Sequence, residues 1–268
     1  MNNINGIISK EGVIYYATGK KYLKQAIYSC KTLKKHNRIS ATLFTDKIGS
    51  DILKEIPSSK VFDVIRIFDL KYKPLKTKIQ ILALTPYEHT LFIDTDTEVR
   101  GDVFKPFEYL KEYDFAIAGM RWLDFSTKIP TLKEYEKPHP VREDIKVVNT
   151  GVIYFRRNDS VLSFLKVWLE KISDHPNKTG THKIDCDQQI LNDLLGESED
   201  LNKGVSFKMI SNTIYNCRTL FFKRLKREGK YDDIVIVHEH GLDKSSIYKL
   251  KKRIRKLGSN IYRKYIKR

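Results

Sequence analysis

The chain has 268 residues, 41% of them hydrophobic, and a formal net charge of +17. That length fits one large domain or two small ones, with enough apolar content for a sizeable core. The charge is uneven: Lys244 to Arg268 holds eleven Lys or Arg and no acid, leaving +6 on the rest, which argues against nucleic-acid binding as a reading of the whole protein.

The three cysteines, Cys30, Cys186 and Cys217, are odd in number and unclustered. They suggest neither a disulfide framework nor a zinc site and fit a reducing compartment. The N-terminus, Met-Asn-Asn-Ile-Asn-Gly, lacks the apolar core of a signal peptide. No stretch approaches the roughly 20 apolar residues that span a bilayer. The expected location is cytoplasmic, soluble or held peripherally on the inner face of a membrane.

In chain order, the apolar run Val13–Ala17 predicts a first strand, and Leu23, Ala26, Ile27, Cys30 and Leu33 give helical spacing over 22–35. Ala41–Thr45 predicts a second strand, and Asp51–Ile56 a short helix stopped by Pro57. A third strand is expected over Val61–Phe68, a helix over Thr77–Leu84, and a fourth strand over Leu91–Asp94. Strands alternating with helices predict an α/β fold with a parallel-rich sheet. Phe115–Ala118 is a further strand, followed by a polar stretch, Arg121–Lys146, with three prolines. That stretch reads as a long loop of the kind that forms lids and binding elements. Val147–Phe155 is strand-like but interrupted by Asn149-Thr150-Gly151. Helices are expected over Val161–Ile172 and Gln188–Leu195, with a polar loop, Ser173–Lys183, between them. Ile234–Val237 is a late strand ending at His238. From Ile247 to Tyr265 apolar residues recur at helical spacing among Lys and Arg, with Gly258-Ser259-Asn260 as a break.

The fourth strand ends in Leu-Phe-Ile-Asp-Thr-Asp, residues 91–96. On an extended chain, Asp94 and Asp96 point the same way. Two carboxylates at the end of a buried strand are costly unless a cation lies between them. A hard divalent ion bound by one or two carboxylates completes its shell with water and substrate phosphates. Ligands of parallel α/β sheets also sit at the carboxyl ends of strands. The pair therefore predicts a metal–diphosphate site in an enzyme acting on a nucleotide.

Five motifs in order give the chain a family resemblance. They are Ala17-Thr18-Gly19-Lys20-Lys21-Tyr22 after the first strand; Lys78, sixteen residues before Asp94; Asp94-Thr95-Asp96; Asn149-Thr150-Gly151 with Asp187-Gln188 and the Leu191-Asn192 that follow; and His238-Glu239-His240-Gly241-Leu242-Asp243-Lys244. From about Val13 to Lys244 the chain resembles the retaining sugar-nucleotide glycosyltransferases of family 8, the group containing glycogenin and the bacterial lipopolysaccharide galactosyl- and glucosyltransferases. The resemblance implies a single GT-A nucleotide-sugar-binding domain over residues 1–244, with a mixed, mostly parallel sheet flanked by helices. A basic amphipathic helical tail, 245–268, follows.

The resemblance also assigns roles. Ala17, Thr18 and Tyr22 would line the uracil pocket, where an aromatic face can stack on a base. Lys78 would face the donor. Asp96 would be a direct metal ligand, and Asp94 would share the metal and contact the ribose beside Thr95. Asn149, Thr150 and Gly151 would lie beside the donor sugar, with Asp187 on its hydroxyls and Gln188 near the anomeric carbon as the catalytic pair. His238 would complete the metal site, with His240 as the alternative. Gly241 would let the backbone approach the diphosphate, and Lys244 would neutralise it. Ser245-Ser246 stands where the family carries Pro-Trp. From the residues alone, Tyr22 reads first as a core or surface residue, Asn-Thr-Gly as a turn, and Asp187 as a helix N-cap.

The expectation is a hexosyltransferase using a UDP-sugar and Mn²⁺ or Mg²⁺, with a glycan, glycolipid or protein acceptor and retention of configuration. The alternatives are an inverting GT-A enzyme, a sugar-1-phosphate nucleotidyltransferase and a basic nucleic-acid-binding protein. The second needs a Gly-rich loop with an Arg near the first strand, which Ala17–Tyr22 lacks. The third leaves the carboxylate pair unexplained, and no specific nucleic-acid partner is expected. The tail could lie on an anionic membrane with its apolar face down.

Overall fold

The computed structural model describes residues 7–68, 74–121, 146–174, 187–196 and 204–239. Seven strands form one sheet in the order β3-β2-β1-β4-β7-β6-β8. They are β1 (Ser9–Tyr16), β2 (Ser40–Thr45), β3 (Val64–Ile67), β4 (Tyr87–Ile93), β6 (Phe115–Arg121), β7 (Lys146–Arg156) and β8 (Phe207–Ser211). Within this sheet β7 runs against the other six. Two short strands, β5 (Thr97–Val99) and β9 (Ile236–His238), form an antiparallel pair beside it.

Strand alternation sorts the core into two layers. Val13, Tyr15, Leu91, Ile93, Ala116, Ala118, Val152 and Tyr154 face one apolar cluster, which also takes Leu23, Ala26, Cys30 and Leu33 of α1 (Gly19–His36). Ile14, Phe92, Phe115, Ile117, Ile153 and Phe155 face the other. That layer is closed by α3 (Pro74–Ala83), α4 (Asp159–Asp174) and α5 (Asp187–Gly196). Burial on both faces explains why the central strands read as apolar runs rather than as alternating patterns.

The ends of α1 show how local chemistry sets a boundary. Gly19 takes φ 71°, a conformation other residues rarely adopt, so the chain turns sharply from β1 into the helix. Lys34, Lys35 and His36 fill the last turn, where positive charge complements the helix dipole. Asn37 then stops the helix: its Nδ2 donates to the carbonyls of Leu33 and Gly101, and its Oδ1 accepts from the Val103 amide.

Several expectations are corrected by tertiary context. The third strand is confined to Val64–Ile67, because Pro57–Val61 forms a 3-10 turn. The short helix after β2 is α2 (Lys47–Lys54), starting earlier than 51 because Asp46 caps it through Gly49 N at 2.7 Å. The expected interruption at Asn149-Thr150-Gly151 lies inside the continuous strand β7. Pairing is nevertheless irregular there: Ile117 matches Ile153 while Gly119 matches Val148, so β7 carries extra residues across 149–152. β5, β8 and two short helices, α6 (Asn212–Tyr215) and α7 (Phe222–Arg227), have no sequence counterpart among the expectations. The loop over 122–145, most of 173–183, His240 to Lys244 and the basic tail lie outside the described residues.

Cys30 and Cys217 are free and buried. Burial pushes their thiols up to about 12 and about 11 respectively, which leaves them protonated and unreactive at neutral pH. Among the described residues, no helix is long and apolar enough to cross a membrane.

Candidate active site

β1 and β4 run side by side with Ile14 opposite Phe92, so they end at the same edge of the sheet. There β4 stops at Ile93, and Asp94-Thr95-Asp96 forms a turn into β5 rather than the extended segment expected. The Thr97 hydroxyl closes the turn by donating to the Asp94 carbonyl at 2.9 Å. The Asp94 amide donates to the Gly151 carbonyl at 2.8 Å, fixing the turn against the irregular stretch of β7.

His238 arrives through the small sheet. Thr97 pairs with His238 across β5 and β9, and the Glu239 amide donates to the Asp96 carbonyl at 3.0 Å. Its Nε2 lies 3.1 Å from Asp96 Oδ1 and 3.9 Å from Asp94 Oδ2. One ligand atom from each of Asp94, Asp96 and His238 falls within 4.8 Å of the others. Two carboxylates and an imidazole at such spacing suit a divalent ion that accepts oxygen and nitrogen donors.

Lys78 joins this triad to the second half of the site. Its side chain, on α3, is 9% exposed. Nζ lies 3.2 Å from Asp94 Oδ1 and 2.8 Å from Asp187 Oδ2, and it also stands over the Phe92 ring. Burial alone would lower the Lys78 pKa, but Asp187 and then Asp94 outweigh it and raise the value. For Asp187, burial raises the carboxyl pKa, and the Lys78 ammonium with the Thr150 hydroxyl brings it below the usual carboxylate value. The ammonium approaches Asp187 Oδ2 closely, yet that oxygen has no aligned hydrogen-bond donor. Two carboxylates, Asp94 and Asp187, therefore flank one ammonium, and with Asp96 beside Asp94 the negative charge left over matches a divalent cation.

The sugar-side expectations also come together. Asp187 opens α5, where an acid complements the helix N-terminus, and the Trp168 indole donates to its carbonyl at 3.2 Å. Asn149 Nδ2 donates to Gln188 Oε1 at 2.9 Å, and Asn149 Oδ1 accepts from the Gly151 amide at 2.8 Å. Asn192, within the motif but given no role from sequence, fastens α5 to β7. Its Oδ1 accepts from Val148 N, and its Nδ2 donates to the Val148 and Gln188 carbonyls.

Ala17 is buried and Thr18 precedes α1 in extended conformation, with no side-chain bond to the helix. Tyr22 is half exposed, and Lys21 Nζ lies 5.0 Å from its ring centroid. These three share the strand edge that carries Asp94. Gly241, Lys244 and the alternative ligand His240 lie outside the described residues.

Sequence reasoning missed Asn216. It is 1% exposed, and its Oδ1 lies 2.8 Å from His238 Nδ1. No motif signals it, because it precedes His238 by a whole excursion of the chain through α7.

Comparison with solved structures finds the same fold. Glycosyltransferase GlyE of Streptococcus pneumoniae TIGR4 aligns with a TM-score of 0.55 at 17% identity, covering 88% of this chain and 56% of GlyE. The chain thus spans little more than half of that protein. Galactosyltransferase LgtC, solved in complex with donor and acceptor sugar analogues, aligns with a TM-score of 0.52 at 13% identity, covering 87% of each chain. Comparison with curated protein sequences found no match. The nucleotide-diphospho-sugar transferase family model matches residues 83–251, a span holding the Asp94–Asp96 turn, Asp187 and His238, and the chain belongs to that family.

Proposed function

We propose that this protein is a divalent-metal-dependent glycosyltransferase that moves a hexose from a UDP-sugar to a glycan acceptor with retention of configuration. The observation that carries the reading is the Lys78 bridge from Asp94 to Asp187. It couples a metal triad and a sugar-facing carboxylate into one wall, the arrangement a nucleotide-sugar donor needs.

Asp94, Asp96 and His238 would hold the ion, and the imidazole favours Mn²⁺ over Mg²⁺. The bound ion would supply Lewis-acid stabilisation of the charge that develops on UDP. Thr18 and Tyr22 would receive the uracil, with Ala17 beneath them. Asp187 would accept hydrogen bonds from sugar hydroxyls, held ionised by Lys78. Gln188, tied to Asn149, would lie near the anomeric carbon. An amide is a poor nucleophile, so Gln188 orients rather than attacks. In the retaining geometry the acceptor enters on the leaving-group face, and a diphosphate oxygen takes its proton. Lys244 and the Gly241 backbone would add fixed positive potential to the same leaving group.

The basic tail, 245–268, would hold the enzyme on an anionic membrane surface. That placement suits a lipid-linked glycan acceptor on the inner face.

The test is a screen of UDP-sugar hydrolysis with Mn²⁺, which reports the donor without the acceptor. One UDP-sugar should be turned over well above the rest, and Asp96→Ala should abolish that turnover. Full turnover by Asp96→Ala would refute the site.

A further inference from the structure

We infer that Asn216 is a positioning residue for the metal site: it holds His238 in the Nδ1–H tautomer, so that the Nε2 lone pair faces Asp94 and Asp96. The inference rests on the proposed metal site and adds to it a residue outside every motif.

A neutral imidazole carries one proton, and only its unprotonated nitrogen can bind a metal. A ring free to choose would put that proton on Nε2 and donate to Asp96 Oδ1, 3.1 Å away. The site would then present a hydrogen where a ligand is needed. Asn216 opposes this. Its Oδ1, 2.8 Å from His238 Nδ1, is an acceptor and asks that nitrogen to donate.

The amide is engaged on its other side as well. Asn216 Nδ2 donates to Asn212 Oδ1 at 3.2 Å. Turning the Asn216 amide over would set its carbonyl oxygen against that of Asn212, acceptor on acceptor. The backbone is fixed as well: the Asn216 amide donates to the Asn212 carbonyl, the Cys217 amide to the Ile236 carbonyl, and the His238 amide to the Cys217 carbonyl. Asn216 and His238 thus sit on neighbouring backbone segments joined by the Cys217–Val237 bridge. Both side chains are nearly inaccessible to water, so no solvent molecule easily replaces the amide.

The test uses the full chain and Mn²⁺ alone as probe. Nitrogen-15 spectra of the His238 ring in metal-free wild type should show the Nδ1–H tautomer, and the Nε2–H tautomer would overturn the inference without any variant. By electron paramagnetic resonance titration, Asn216→Ala should bind Mn²⁺ about 10–100-fold more weakly. Asn216→Asp, which can still accept from Nδ1, should restore affinity to wild type or better. Asn212→Ala, which frees the Asn216 amide to turn, should weaken binding by a smaller factor and serves if Asn216→Ala does not fold. Loss of Mn²⁺ affinity in His238→Ala beside unchanged affinity in Asn216→Ala overturns this inference alone. Unchanged affinity in His238→Ala overturns the metal site and the inference with it.

Discussion

Gly151 lies flush against His238: a β-carbon at position 151 would fall 2.4 Å from Cε1 and 2.6 Å from Nδ1 of the imidazole. The same carbon would stand 2.9 Å from Asn149 Oδ1. The strand that carries Asn149 therefore also forms the wall behind His238. Gly151 is needed for that close approach, and a donor sugar need not touch it.

Gly151→Ala should accordingly act on the metal site. The added methyl must push His238 or β7 aside, at a cost of about 1–3 kcal/mol in stability. Mn²⁺ affinity should fall by roughly tenfold or more, as for other losses of support around a ligand. Urea unfolding and Mn²⁺ titration of the same preparation measure both effects. Wild-type Mn²⁺ affinity in this variant would show that the imidazole is not confined by residue 151.

Lys78→Met should be strongly destabilising. It removes the cation between two carboxylates whose partner side chain on Asp187 is 9% exposed, and breaking one side of a buried ion pair costs about 3–5 kcal/mol. The pH dependence should also change sign. In wild type Asp187 is shifted down, mainly against burial by the Lys78 charge. Its contribution is therefore present above the unfolded carboxyl pKa, about 3.9, and is lost as pH falls through the lower folded value. Without Lys78, burial dominates and raises the folded pKa, so that contribution now falls as pH rises above about 3.9. Stability curves from pH 3 to 7 in chelator, wild type against variant, should diverge with rising pH. Parallel curves would remove Lys78 as the partner of Asp187.

Chelation should abolish UDP-sugar turnover and Mn²⁺ should restore it. His238→Ala should need much more Mn²⁺ than wild type to recover any rate, since one of the three candidate ligands is gone. A rate indifferent to chelator would rule out the metal mechanism.

Asn192→Leu should cost about 1–3 kcal/mol, because the Val148 amide, largely buried, loses its acceptor. Gln188 should lose its seat as well, since Asn192 also bonds the Gln188 carbonyl. The expected kinetic signature is a fall in the rate of UDP-sugar hydrolysis with little change in UDP affinity. A variant with lower stability but a normal rate would make Asn192 structural only.

Liposomes containing anionic lipid should pull down the full chain and release it at high salt. Truncation after Ser245 should remove that binding. Equal co-sedimentation with and without the tail would end the membrane proposal.

Much of this was legible in the amino-acid order. The apolar runs of β1, β2 and β4 and the helical spacing of α1 and α4 depend on burial, which composition and period report directly. Asp94 and Asp96 stood out because they follow an apolar strand, and Asp187 and His238 because they fall in motifs of the family that the chain resembles. What spacing does not encode is angle and partner. Asp94 and Asp96 converge through a turn closed by Thr97, not along a strand as the alternation rule implied. Lys78 was one basic residue among 50 until α3 set it between Asp94 and Asp187. Asn216 was invisible because a hydrogen bond across 22 residues leaves no local pattern. The sequence alone determined the longer buried elements and most of the chemical groups of the candidate site, since these follow from burial and residue type. The tertiary structure decided which nitrogen of His238 faces the acids and which carboxylates share an ammonium, because those depend on ångström-scale contacts between segments distant in the chain.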